Sequence, residues 1–189
     1  MVSKGLKEQD LLQQIVQGNT VAMKEFYNIY SGYLTTVCSR YIPNREDLKD
    51  VLQDSFIKIF KAVHQFEYKG EGSLKAWTTR IVVNEALKYL KESQKINITN
   101  LPDWDLPDIA DEQEPDFDEI PTSVILKMIG TLPTGYRTVF NLYVFEEKSH
   151  KEIASLLGIA ENTSASQLHR AKNLLVKEIE IYRTKKMSL

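Results

Sequence analysis

The stretch Ser149 to Lys172, SHKEIASLLGIAENTSASQLHRAK, restricts the fold more tightly than any other part of the chain. Ser149 followed three residues later by Glu152 is the pattern of a helix capping box. Ile153, Ala154 and Leu157 give the next helix an inward face, Gly158 supplies a left-handed turn, and Ile159 fills the angle between two helices. A small residue at Ala154 and an apolar one at Leu168 complete the packing of two steeply crossed helices. The segment reads as a helix-turn-helix whose second helix, roughly Asn162 to Glu180, presents side chains to DNA. Thr163, Ser166, Gln167, His169, Arg170 and Lys172 are its candidate contacts, and Arg170 suits a guanine edge or a phosphate equally well. An ordinary amphipathic helix with a solvated polar face would carry the same residue types.

Helical spacing recurs along the rest of the chain. Leu11, Leu12, Ile15 and Val16 form one stripe, and Phe26, Tyr30, Tyr33, Leu34, Val37 and Tyr41 a second. Pro43-Asn44 breaks the pattern before Asp47 to Phe66 resumes it. Turn chemistry from Glu67 to Ser73 precedes a fourth helix with Leu74, Trp77, Ile81, Val82 and Leu87 on its apolar side. Further on, Val124, Ile125, Met128 and Ile129 make a short stripe ending near Gly130, and Tyr136 to Phe145 continue as helix. No strand-like alternation of useful length interrupts them.

The net charge of −2 conceals a partition. Residues 1–92 carry 13 Lys and Arg against 11 Asp and Glu, residues 93–121 carry 1 against 9, and residues 122–189 carry 10 against 6. The middle stretch, with Pro102, Pro107 and Pro115 and little apolar periodicity, resists packing. The expected fold is therefore all-α: two small helical domains, 1–92 and 122–189, joined by an acidic flexible linker over 93–121. A single Cys38, no signal peptide after Met1 and no apolar run of membrane-spanning length point to a cytoplasmic protein without disulfides or membrane insertion.

A second constellation lies between Tyr68 and Lys91. Trp77, Arg80, Asn84, Lys88 and Lys91 follow a Gly/Ser loop that holds Lys69 and Ser73, so aromatics and cations interleave. Such a surface stacks unpaired bases while its cations follow the backbone. Core packing is the competing use for Trp77 and Tyr89.

Three segments in order, DLKDVLQDSFIKIF, FEYKGEGSLKAWTTRIVVN and LPTGYRTVFNLYVFEEKSHKEIASLLGI, resemble the conserved regions of sigma-70 family factors, nearest to the extracytoplasmic-function (ECF) subgroup. The resemblance runs from about Phe26 to Leu175 apart from the linker. It implies a dissociable subunit of bacterial RNA polymerase that confers promoter specificity, with one domain for the minus-10 element and one for minus-35. By that resemblance, Asp50, Gln53, Asp54, Phe56 and Ile57 dock on the clamp helices of the largest polymerase subunit, while the second domain meets the flap of the second largest. Lys69, Ser73, Trp77, Arg80, Asn84 and Lys88 capture a flipped minus-10 base and the adjacent backbone, with the pocket near the loop and Asn84. Ser166, His169 and Arg170 fall at minus-35 positions. Two positions depart from the family pattern: Ala165 where a basic residue is common, and Asn162 where a Gly is common. The subgroup also implies an anti-sigma factor as a partner.

The resemblance implies no catalytic residue, cofactor or metal. Asp50 and Asp54 are i,i+4 neighbours, but no His or Cys joins them. The linker has two open readings: a nucleic-acid mimic in the polymerase cleft, carried by Asp103, Asp105, Asp108, Asp111 and Glu112, or a solvated spacer. The rival class is a response-regulator output module or dimeric repressor, which would need a receiver domain or a dimer interface. No alternation of strand and helix precedes the helix-turn-helix to supply a receiver.

Overall fold

The computed structural model describes residues 8–93 and 114–187, and these are helical with short connections. The chain divides into two compact units, Met1–Tyr89 and Leu90–Leu189. Among the described residues there is no strand, in keeping with the all-helical reading. None of their helices is long and apolar enough to cross a membrane. Asp103, Asp105, Asp108, Asp111 and Glu112 lie outside the described residues.

The first unit contains α1 (Glu8–Val16), α2 (Thr20–Tyr41), α3 (Arg45–Ala62) with a 3-10 turn over Val63–Gln65, and α4 (Ser73–Glu92) as far as Tyr89. Asn19 sets the start of α2 by accepting from the Val21 and Ala22 amides at 2.9 and 3.3 Å, and Asn44 does the same for α3 with Glu46 and Asp47 at 2.9 and 3.1 Å. The Asn19 cap explains why α2 begins well before its first aromatic, Phe26. Phe26 is 1% exposed, stacks on Tyr30 with centroids 4.6 Å apart, and meets Phe60 edge-on at 5.6 Å. Burying an aromatic of this size contributes about 1.5–3 kcal/mol, so this cluster anchors α2 to α3.

The second unit contains α5 (Thr122–Thr131), α6 (Thr134–Val144), α7 (His150–Leu157) and α8 (Glu161–Met187). Both arms of the expected capping box form: the Ser149 hydroxyl accepts from the Glu152 amide at 3.3 Å, and Glu152 Oε2 accepts from the Ser149 amide at 2.9 Å. Gly158 ends α7 at φ 72, ψ 39, and its amide donates to the Ala154 carbonyl at 2.8 Å. Ile153, Ala154 and Leu157 are buried as α7 packs on α8. Arg137, 6% exposed, donates to the Leu132 and Gly130 carbonyls at 2.7 and 3.2 Å, satisfying acceptors left over at the end of α5.

Residues 114–121, assigned by composition to the linker, are seated on this unit. Ile120 is buried, Arg183 donates to Asp116 Oδ2 at 2.8 Å, and Lys172 pairs with Glu114. Their charges find partners on α8, and this offsets the repulsion that would keep an isolated acidic stretch open.

Candidate nucleic-acid interface

In the first unit, the loop between the 3-10 turn and α4 closes on itself. Gly70 and Gly72 adopt φ 110 and φ 84, a region that side-chain-bearing residues rarely enter. The Ser73 hydroxyl donates to the Gly70 carbonyl at 2.6 Å and accepts from the Lys69 amide at 3.2 Å. This tight turn delivers Lys69 and Ser73 to the rim of an open pocket of about 380 Å³, whose other walls include Phe66, Glu67, Trp77 and Arg80. Phe66 and Trp77 lie with ring centroids 4.9 Å apart and planes inclined at 35°. Trp77 is half-buried and Arg80 exposed, so the pocket combines a braced aromatic face with cations at its edge.

Asn84 and Lys88 are exposed and continue from Arg80 along one face of α4 at four-residue spacing, outside the pocket lining. The concavity reaches from Gln65 and Phe66 to Arg80 and does not include Asn84. Phe66 was legible as the aromatic opening the FEYKGEG segment, yet only the fold shows its ring backing Trp77.

On α3, Asp50, Gln53, Asp54 and Ile57 are exposed at i, i+3, i+4 and i+7, which puts them on one face with Ile57 as an apolar centre 45% exposed. Phe56 does not join them. It is 8% exposed, and its ring lies 4.8 Å from Tyr27 and 6.4 Å from Phe26, so it packs the aromatic core. Among the described residues no three His, Cys, Asp or Glu side chains gather where they could hold a metal ion.

On α8, Ser166 is exposed, and Thr163 and Arg170 are half-buried on the same side of the helix. Arg170 Nη1 donates to the hydroxyl of Tyr136, itself 1% exposed, at 3.4 Å, so the core holds the guanidinium in place. His169 and Lys172 line an adjacent concavity of about 280 Å³ with Glu114, Tyr143, His150 and Ala165. His150 stacks on Tyr143 with centroids 5.0 Å apart and its Nδ1 lies 2.9 Å from the hydroxyl of buried Ser164. Gln167 departs from the expected set. At 3% exposure it belongs to the inward stripe of Ser164, Leu168, Ala171 and Leu175, where it cannot reach a base edge.

Both units match known sequence families. Residues 26–96 match the family model described as sigma-70 region 2, and residues 123–175 match sigma-70, region 4. Together the two cover about two thirds of the chain. The chain is 26% identical over 197 residues to the ECF RNA polymerase sigma-E factor of Haemophilus influenzae, an alignment covering 95% of this chain and 98% of that one. It is 24% identical over 189 residues to the factor of the same name from Escherichia coli, covering 95% and 97%. Among solved structures it is similar to that of CnrH in complex with the cytosolic domain of CnrY, at 20% identity and a TM-score of 0.48, covering 90% and 96% of the two chains.

Proposed function

Because the chain belongs to the sigma-70 family, in its ECF subgroup, we propose that its first domain holds core polymerase and the melted minus-10 element while its second holds minus-35. The chain is a sigma factor: it binds core RNA polymerase and directs promoter recognition and transcription initiation. The observation that carries this reading is the ordered pair of region 2 and region 4 matches in one chain.

In the proposed division of labour, Asp50, Gln53, Asp54 and Ile57 form the face that docks on the clamp helices of the largest polymerase subunit. Ile57 supplies desolvated apolar area at its centre, and the acids set the orientation. Phe56 supports that face from beneath.

The pocket of Phe66, Lys69, Ser73, Trp77 and Arg80 takes a minus-10 base out of the stack. Flipping costs a few kcal/mol, and stacking on a protein aromatic returns about 1–3 kcal/mol. The stack alone breaks even at best, so the cations Lys69, Arg80 and Lys88, with Asn84, must hold the adjacent backbone. Thr163, Ser166, His169, Arg170 and Lys172 meet the minus-35 duplex. With Ala165 in place of a cation, this contact is weak alone, and attachment through the first domain raises its effective concentration.

Regulation of initiation is the whole of its activity in this reading, without catalytic chemistry of its own. It works in the cytoplasm, contacts the flap of the second-largest polymerase subunit through its second domain, and is held in reserve by an anti-sigma factor. Permanganate reactivity of minus-10 thymines tests the reading: core polymerase alone leaves them protected, core with this chain opens them, and Lys69→Ala with Arg80→Ala reduces opening. Tight binding to duplex DNA by the chain alone, with no opening in the presence of core, would overturn it.

A further inference from the structure

The loop that forms the pocket rim has little of its own to hold it. A Cβ placed on Gly70 or Gly72 would meet no neighbouring group within 4 Å, so the side of each glycine that a side chain would occupy is open. The Ser73 hydrogen bonds close the loop on itself and do not tie it to the domain. Among the described residues, the tie from a distant element is made by Glu8 of α1, whose Oε2 accepts from the Gly72 amide at 3.0 Å across 64 residues of sequence. Its other oxygen, Oε1, accepts from the Tyr30 hydroxyl at 2.9 Å. Tyr30 in turn stacks on Phe26 in the aromatic core.

We infer that Glu8 is a positioning residue for the minus-10 pocket, holding the Lys69–Ser73 loop in its base-accepting shape before DNA arrives. The inference rests on the proposed reading of that pocket. A continuous chain of contacts runs from the Phe26 core through Tyr30 and the Glu8 carboxylate to the Gly72 amide, and Gly72 immediately precedes the residue that closes the loop. Both carboxylate oxygens are engaged, so the bridge fixes a direction as well as a distance. Burial, then the hydrogen bond to Glu8 and its charge, push the Tyr30 hydroxyl well above the usual phenol range, which keeps it a donor to the carboxylate. A loop ordered in advance loses less freedom on capturing a base, and the saving appears as affinity and base selectivity.

The test uses full-length protein assembled with core polymerase and a panel of single-stranded minus-10 oligonucleotides with each base at each position. Core affinity and thermal unfolding are measured beside it. Glu8→Ala should bind core as the wild type does, lose about ten-fold or more in affinity for the preferred oligonucleotide, and lose discrimination at one base position. Glu8→Gln, which keeps one acceptor oxygen, and Tyr30→Phe should fall between. A Glu8→Ala holoenzyme with wild-type discrimination overturns the inference, as does an equal loss on every oligonucleotide. Should Glu8→Ala fail to fold, wild-type behaviour in both Glu8→Gln and Tyr30→Phe overturns it. A wild-type holoenzyme that prefers no base overturns the pocket reading itself, a result separable from failure at Glu8 alone.

Discussion

Glu114 and Lys172, 58 residues apart in the chain, form an ion pair on the surface of the second domain. The lysine side chain is 21% exposed and the glutamate 72%, so the carboxylate is the partner that solvent and phosphate can displace. Exposed pairs are worth about 0–1 kcal/mol. If Lys172 meets the minus-35 backbone, Glu114 competes with phosphate for it. Glu114→Gln should therefore tighten binding of the full-length protein to minus-35 duplex by about 2- to 5-fold at low salt, with the gain shrinking as salt screens the pair. Fluorescence anisotropy across a salt series reads both effects, and an unchanged low-salt affinity would remove Lys172 from the contact set.

Acid should loosen the same segment. The Arg183 guanidinium, then the Asp118 amide, hold the Asp116 carboxyl below its ordinary value of 3.8. A lowered folded value means the unfolded state binds the proton more readily. The contribution is thus complete above pH 3.8 and is lost as pH falls through the folded value. Carbon NMR of the Asp116 carboxyl should show a midpoint below 3.8, and the stability difference between wild type and Asp116→Asn should narrow as pH drops past it. A midpoint at or above 3.8 would mean that the Arg183 pairing does not persist in solution.

Gly158 gives a clean backbone test. Beyond its chain neighbours nothing lies within 4 Å of where its Cβ would stand, so substitution meets no tertiary clash and is opposed by φ 72. Gly158→Ala should cost about 1–2 kcal/mol in urea unfolding of the second domain, and Gly158→Asn less, because asparagine tolerates the left-handed region. Equal costs for the two would point to packing instead.

Gln167 and Ser166 separate burial from recognition. The Gln167 amide oxygen is buried without a hydrogen-bond partner among the described residues, whereas Ser166 is exposed and its hydroxyl reaches only the Thr163 carbonyl at 3.1 Å. Gln167→Met should stabilise the domain by about 1 kcal/mol or more and leave minus-35 affinity unchanged. Ser166→Ala should do the reverse, weakening DNA binding with little effect on stability. Parallel unfolding and binding curves decide the assignment.

Local features were legible in the sequence because their causes are local. The Ser149–Glu152 capping box, the Gly158 turn and the apolar stripes of α1 to α4, apart from the exposed Val16 and Tyr33, each follow from residues within a few positions of one another. Phe56 and Gln167 are buried where an exposed contact was expected, for a related reason. Each is adjacent to an exposed member of its set, Ile57 and Ser166, but a helix turns by about 100° per residue and puts neighbours on different faces. Glu8 could not be found that way, since its partner Gly72 lies 64 residues off and a single carboxylate has no periodicity. Glu114 and Asp116 were counted with the linker because composition registers charge but not the Lys172 and Arg183 that neutralise it from α8.

As a sigma factor, this chain directs core polymerase to its own promoters. Transcription start sites mapped on a promoter library with bacterial core enzyme, with and without the chain, test it most directly. New starts should arise at a narrow set of promoters that share two separated elements, and losing either element should abolish them. Start sites unchanged by the chain, alongside tight binding to duplex DNA in the absence of core, would contradict it.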